Sequence, residues 1–269
     1  MTRFTAVRGF TLIEMVMVIV ILGVIGATVA VFMRQPVDAY ADTSRRAALS
    51  DVADTAVRRI ARDLQRALPN SVRSPSNQCV EFIPTRTGGR YRAETTAAGA
   101  GDILDFSAAD SSFGVFANLS ILPADQQVRA ADVVVVYNLG ISGADAYAGD
   151  NTSVVVSVTN GAESTITIAS KLFPLASGSN RFHVVPGDEK IVAFVCSGGK
   201  LYRSSNHSYA SSCPITGAAV LANNVASCNF VYNDSDLQRN ALVQMTIVLT
   251  DVAGDSVSLY HEVHVSNTP

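Results

Sequence analysis

The sequence predicts an α+β fold in which one long amino-terminal helix packs on a mostly antiparallel β domain. Three observations predict it. An uninterrupted apolar stretch runs from Phe10 to Met33, apolar residues then recur at helical spacing from Leu49 to Leu68, and strand-like runs bounded by turn residues fill the rest of the chain. Four stretches follow: a leader over 1–9, a transmembrane half-helix over 10–33, an amphipathic second half with its exit over 34–73, and a β-rich domain over 74–269.

The first nine residues carry Arg3 and Arg8 and are too few to form a domain. They read as a processing leader. A secretory signal peptide places its small cleavage residue after the apolar core, whereas here Gly9 precedes it, so cleavage at Gly9 leaves the apolar helix on the mature protein. The two arginines set the amino end in the cytoplasm and the rest of the chain, beyond Met33, across the membrane. Phe10 to Met33 is 24 residues. At 1.5 Å of rise each that is about 36 Å, enough for one crossing with some tilt. Glu14 is the only ionisable side chain in the stretch, and a carboxylate at that depth is expensive unless a cation meets it. An ordinary signal anchor accounts for the arginines and the apolar run but not for Gly9-Phe10 or Glu14.

Pro36 removes one backbone donor, so a kink is expected near Phe32 to Gln35. Beyond it Leu49, Val52, Ala53, Ala56, Ile60, Leu64 and Leu68 define an apolar stripe meant for a sheet. The polar face offers Asp42 with Arg46, Asp54 with Arg58 and Arg59 with Asp63, each pair four residues apart. Arg58, Arg62 and Arg66 form a basic row that suits the helix carboxyl end and reads as a solvated face before it reads as a site for nucleic acid or an acidic partner. Pro69 is expected to end the helix.

Strands are expected at Cys79–Ile83, Ile103–Phe106, Val133–Tyr137, Val154–Val158, Ile191–Val195 and Phe230–Tyr232. Asn160-Gly161 and Gly198-Gly199 are two-residue hairpin signals, the first of the type I′ kind. The clearest pair is the last: Val243, Met245, Ile247 and Leu249 alternate with polar or small neighbours, and after Gly254-Asp255 the pattern resumes as Val257, Leu259, His261, Val263 and Val265. Thr85 to Gly101 and Gly140 to Asn151 read as loops.

Cys79, Cys196, Cys213 and Cys228 all fall on the non-cytoplasmic side, where oxidation is allowed. No Cys-x-x-Cys occurs and no spacing to histidine suits zinc, so two disulfides are expected. Cys196 with Cys213 would close a loop around the Gly-Gly hairpin, which leaves Cys79 with Cys228.

Catalytic motifs are missing: no Gly-x-Ser-x-Gly, no phosphate-binding glycine loop, no His-Glu-x-x-His. His261-Glu262-Val263-His264 has the wrong spacing, and on a strand its imidazoles point to opposite faces, His261 toward the core and His264 outward. Asp234 with Asp236, and Asp145 with Asp150, offer oxygen ligands for calcium but match no calcium-loop signature and read as polar turns. No metal, cofactor or enzymatic activity is expected. Net charge −3 and the lack of tryptophan argue against a nucleic-acid partner.

Arg8-Gly9-Phe10-Thr11-Leu12-Ile13-Glu14 resembles the processing site of type IV prepilins and type II secretion pseudopilins. The resemblance implies a type IV pilin-like fold, cleavage after Gly9 by a prepilin peptidase, N-methylation of Phe10, and a Glu14 that meets the terminal amine of a neighbouring subunit. Residues 58–73, Arg58 through Arg73, resemble the helix end of minor pilin-like proteins of the mannose-sensitive haemagglutinin (MSHA) pilus, within the wider group of J-type minor pseudopilins. The likeness covers residues 9–73 and returns, looser, at the final hairpin. Implied partners are other major and minor pilin subunits, the peptidase and the inner-membrane assembly platform. Pilus and secretion system both remain open, and an adhesin or DNA-uptake module would carry a basic or aromatic patch that the sequence lacks.

Overall fold

The structure, a computed structural model, describes residues 9–206, 208–209, 213–232 and 240–269. Leu12–Leu64 forms a 53-residue α-helix, α1, that continues unbroken through Pro36, where one backbone bond is lost. The chain divides into two compact units, residues 1–48 and 49–269. In the first, the apolar side chains from Phe10 to Met33 are exposed.

In the second unit, Leu49, Ala53, Ala56, Val57, Ile60 and Leu64 are buried. Val52, expected in that stripe, is 41% exposed, and Val57 takes its place because the buried arc is centred on the 53–57–60–64 line. The helix ends at Leu64, ahead of Pro69. Its last turn tightens as Arg66 N–H bonds Asp63 O (3.1 Å) and Ala67 N–H bonds Leu64 O (3.0 Å), and Leu68 N–H is taken by Ile83 O at 2.8 Å. Leu68 accordingly joins a separate small core with Ile83, Val133, Val135, Ala146 and Val185.

The strands are β1 (Arg73–Ser76), β2 (Cys79–Phe82), β3 (Thr87–Arg90), β4 (Asp110–Val115), β5 (Val133–Val136), β6 (Thr152–Thr159) and β7 (Ser164–Lys171). They continue as β8 (Arg181–Val185), β9 (Ile191–Ser197), β10 (Lys200–Asn206), β11 (Ala219–Asn223), β12 (Val225–Tyr232), β13 (Asn240–Thr250) and β14 (Ser256–Ser266). Among the described residues they make three sheets, ordered β1-β2-β9-β10-β11, β12-β13-β14 and β3-β8-β5-β6-β7-β4, with every pairing antiparallel.

The first two sheets form a scaffold for the helix. Val80, Phe82, Val192, Phe194 and Leu201 from one, and Phe230, Val243, Met245, Ile247, Leu249, Val263 and Val265 from the other, share one core with the buried helix stripe. At roughly 1.5–3 kcal/mol for each large side chain removed from water, this is the main source of cohesion. The final hairpin pairs as its alternation predicts, from Asn240↔Ser266 to Thr250↔Ser256 without a bulge.

The third sheet closes on itself. Beyond β3, Tyr91 bridges Val115, while Arg92 N–H bonds Gly114 O (2.8 Å) and Phe116 N–H bonds Arg90 O (3.3 Å), so that the two outermost strands meet as a barrel. Its interior holds Tyr91, Phe113, Val134, Val155, Ile166, Phe173 and Phe182. The barrel is inserted between β2 and β9, which are themselves paired, with Phe82 opposite Val192. A closed sheet thus stands where a short loop would suffice to join the two strands. One exit is fixed by backbone contact: a Cβ on Gly187 would lie 2.1 Å from Ala131 O, so no larger residue fits there.

Several local expectations are corrected. Ile103–Phe106 is not a strand, because Asp110 takes Asp105 N–H (2.9 Å) and Asp105 takes Ser107 N–H (2.7 Å), which turns the chain. The Thr85–Gly101 segment contains β3, whose Gly88 approaches so closely that a Cβ would sit 2.9 Å from Phe182 O. Asn160-Gly161 belongs to a longer connection, since Thr159 pairs with Thr165. Gly198-Gly199 is the two-residue turn of the type I′ kind, with φ of 56° and 74° between paired Ser197 and Lys200. Gly140–Asn151 is a loop, as expected.

Both disulfides form, but with other partners than expected: Cys79 with Cys213 and Cys196 with Cys228. The reason is strand parity. Cys79 lies opposite Val195 in the β2–β9 register and shares its face, so the adjacent Cys196 points to the other side. Cys196 therefore meets Cys228 inside the helix-facing core, and Cys79 meets Cys213 beside Ala193 and Val195.

Candidate functional site

The candidate site is the amino-terminal end of α1. Gly9 and Phe10 are non-helical and exposed, Phe10 by 80%, and the helix begins at Leu12. Thr11 stands at the capping position: Glu14 N–H bonds its Oγ1 at 3.3 Å and its carbonyl at 3.1 Å. Glu14 is thereby fixed in the first turn, where a negative charge suits the helix dipole, with its side chain outward. The Thr-x-x-Glu spacing is a capping signature that the sequence displays.

A Cβ on Gly9 would meet nothing within 4 Å, and Gly9 is not among the residues of positive φ. Among the described residues nothing in the fold calls for glycine there. Gly23 and Gly26 are equally open, which allows another backbone close approach. Thr28 Oγ1 donates within the helix, to Ile25 O at 2.9 Å, and so needs no partner in an apolar surrounding. From Phe10 to Met33 the large side chains are exposed, far beyond the apolar patch a soluble monomer presents. Length and composition suit a single membrane crossing. The apolar helix is compatible with membrane anchoring. Arg3 and Arg8 lie outside the described residues.

The remaining candidates resolve as structural parts. On the helix Asp54 pairs with Arg58 (2.6 Å), Asp63 with Arg59 (3.4 Å), and Asp42 with Arg45. Asp63 also meets Arg203 of β10 at 2.7 Å, which joins Glu189 at 2.7 Å and ties the helix end to the barrel's return. Of the basic row, Arg58 and Arg66 are engaged, Arg66 with Thr85 O at 3.4 Å, and Arg62 is exposed. His261 is half-buried opposite Met245, and His264 is exposed. Asp145 and Asp150 accept from Tyr147 N–H and Gly143 N–H, each at 2.9 Å, as turn carboxylates do. No metal-binding group forms among the described residues, and Asp234 and Asp236 lie outside them.

Loop 140–151 is held rather than free. Asn138 Nδ2 donates to Pro69 O (2.7 Å) and Tyr147 OH to Ser71 O (2.8 Å), while Arg73 sits 3.7 Å over the Tyr147 ring and 2.5 Å from the fully buried Glu81. Burial pushes the Tyr147 hydroxyl well above its ordinary pKa. It stays a hydrogen-bond donor to Ser71 O.

Residues 5–30 match the prokaryotic N-terminal methylation motif. No curated protein and no solved structure matches the chain. The matched stretch holds Gly9, Phe10 and Glu14, and it indicates a type IV pilin- or pseudopilin-like amino terminus.

Proposed function

We propose that this chain is a minor pilin-like subunit of an MSHA-type type IV pilus, of the MshO kind. A prepilin peptidase cuts after Gly9 and methylates Phe10, and the subunit then enters or primes the pilus through its amino-terminal helix. The observation that carries this reading is the methylation motif over 5–30 standing on a helix whose apolar side chains up to Met33 are uncovered. Before assembly the subunit sits in the bacterial inner membrane, amino end cytoplasmic and β domain periplasmic. Its helix passes from lipid to a bundle of pilin helices without losing apolar contact, so the transfer itself carries little hydrophobic penalty.

Charge selects the register. An unpaired Glu14 in the bundle costs several kcal/mol by the general scale for buried or membrane-embedded charges, and a neighbour's terminal amine offsets that at one axial offset. The minor role is favoured by the size of the β domain, which carries a barrel beyond what covers the helix, and by the likeness of residues 58–73. The same motif also serves the second reading, a J-type minor pseudopilin of a type II secretion system.

A clean deletion strain decides between them, examined for surface pili by electron microscopy and for exoprotein release in the same cultures. The proposal expects loss of pili with secretion intact. Loss of secretion with pili intact moves the chain to the secretion pseudopilins.

A further inference from the structure

We propose that β14 is a docking edge to which a neighbouring pilin-like subunit adds an extended segment as a further strand. The inference rests on the assembly role just proposed and deepens it by naming the surface.

Most sheet edges in this chain are managed. The barrel closes through Tyr91 and Val115 and has no free edge. β1 is four residues long, contains Pro75 and has an irregular register. β11 is five residues long and pairs with a bulge at Leu201/Tyr202. β14 differs on every count. It runs for eleven residues, pairs with β13 without a bulge, and contains no proline, lysine or arginine. Among the described residues its backbone bonds only to β13, so one whole row of N–H and C=O groups is unused. A long, flat, unblunted edge is the template that strand addition requires.

The side chains define what fits. Val257, Leu259 and His261, on the helix-facing side, are only half-covered, whereas Val263 and Val265 on the same face are buried. The shortfall lies on β14 itself, and an added strand with apolar residues at alternate positions covers it. Glu262 is the edge's only group charged at neutral pH, which disfavours an acidic residue opposite it.

A second copy presenting the same edge does not fit. Antiparallel pairing of two β14 strands needs a two-fold axis normal to the sheet, which turns the two packed helix halves antiparallel, although assembled subunits enter one membrane by the same end. Parallel pairing puts the helix-covered faces on opposite sides of the joint sheet. A neighbour in the same orientation offers a different segment, the head-to-tail contact from which open assemblies grow.

The test is photo-crosslinking in the producing cells. A benzophenone amino acid is placed in the full-length chain at Ser258 or His264, both exposed on β14, at Asn229 on the outer face of β12 as control, and at Val16 in the apolar helix to report assembly itself. The proposal expects β14 adducts identified by mass spectrometry as another subunit with a methylation motif, in a yield at least about tenfold over Asn229. Tyr260→Lys, at a solvent-facing edge position 56% exposed, should abolish them while the thermal midpoint stays unchanged. β14 yields equal to Asn229 alongside Val16 adducts overturn the proposal and leave the assembly reading standing. Adducts with a second copy overturn the heterologous partner. Absence of adducts at Val16 as well overturns the assembly reading and this proposal with it.

Discussion

The scaffold and the barrel solve the same problem, a sheet with an apolar face, in opposite ways. The scaffold covers that face with a foreign element: Ala53, Ile60 and Leu64 of α1 lie in one core with Phe194, Phe230, Val243 and Ile247. The barrel covers it with itself, around Phe113, Ile166 and Phe182, and needs no helix. The scaffold is therefore bound to the carboxyl half of α1, while the barrel packs around a core of its own. The two touch through a third, small core of Leu68, Ile83, Val133, Val135, Ala146 and Val185. Insertion between strands that are already paired is the arrangement that tolerates addition best, because its two ends are close before it is made.

The largest expected effect breaks that comparison directly. Phe194→Ala and Phe182→Ala each empty a fully buried ring site, with a loss of about 3–5 kcal/mol. Hydrogen exchange should show Phe194→Ala loosening both regions, because the scaffold carries the barrel, and Phe182→Ala loosening β3–β8 alone. Equal loss of protection throughout in both variants would show one cooperative body.

Next in size is the Cys196–Cys228 bridge, whose sequence separation is 32. Loop-closure entropy gives about 3–4 kcal/mol for a ring of that length. The double alanine variant should lower the scaffold's thermal midpoint and, because the scaffold carries the barrel, loosen exchange in both regions as Phe194→Ala does. The other bridge, Cys79–Cys213, encloses the whole barrel within its ring of separation 134, so its removal should act on both regions.

Smaller still is a pH effect confined to the barrel. Burial, and then the nearby Arg181, bring His183 of β8 down from 6.5 to about 4. The unfolded chain takes up this proton first, so the contribution is fully present above pH 6.5 and fades as pH falls toward 4. The swing is roughly 1–3 kcal/mol, as His183 is only partly shielded. His183→Leu should flatten barrel stability across that window, and an unchanged acid dependence would assign it to other groups.

Much of the scaffold was legible in the sequence. The final hairpin declares both faces by strict alternation, and the stripe at 53–64 declares the helix face. The barrel was not. β7 hides its alternation of Ile166 and Ile168 behind serines and threonines, and β3 is Thr-Gly-Gly-Arg, glycine-rich because Phe182 crowds it. Its closure depends on Tyr91 meeting Val115, a contact that no local pattern announces. The disulfide pairing was decided by which face of β9 each cysteine occupies, information that exists only once register is known. The amino-terminal motif is local, a short run of adjacent residues over 5–30, and so was legible without any knowledge of register.

The central claim is that the helix start is an assembly device, and the direct measurement is incorporation of Glu14→Ala. Wild-type and variant chains are compared for amino-terminal mass, for thermal unfolding, and for the fraction that cofractionates with other pilin-like subunits. The account predicts identical cleavage after Gly9, an unchanged unfolding midpoint, and a loss of about tenfold or more in the incorporated fraction, since several kcal/mol are at stake. Incorporation equal to wild type, with Glu14 replaced and the fold intact, would contradict it.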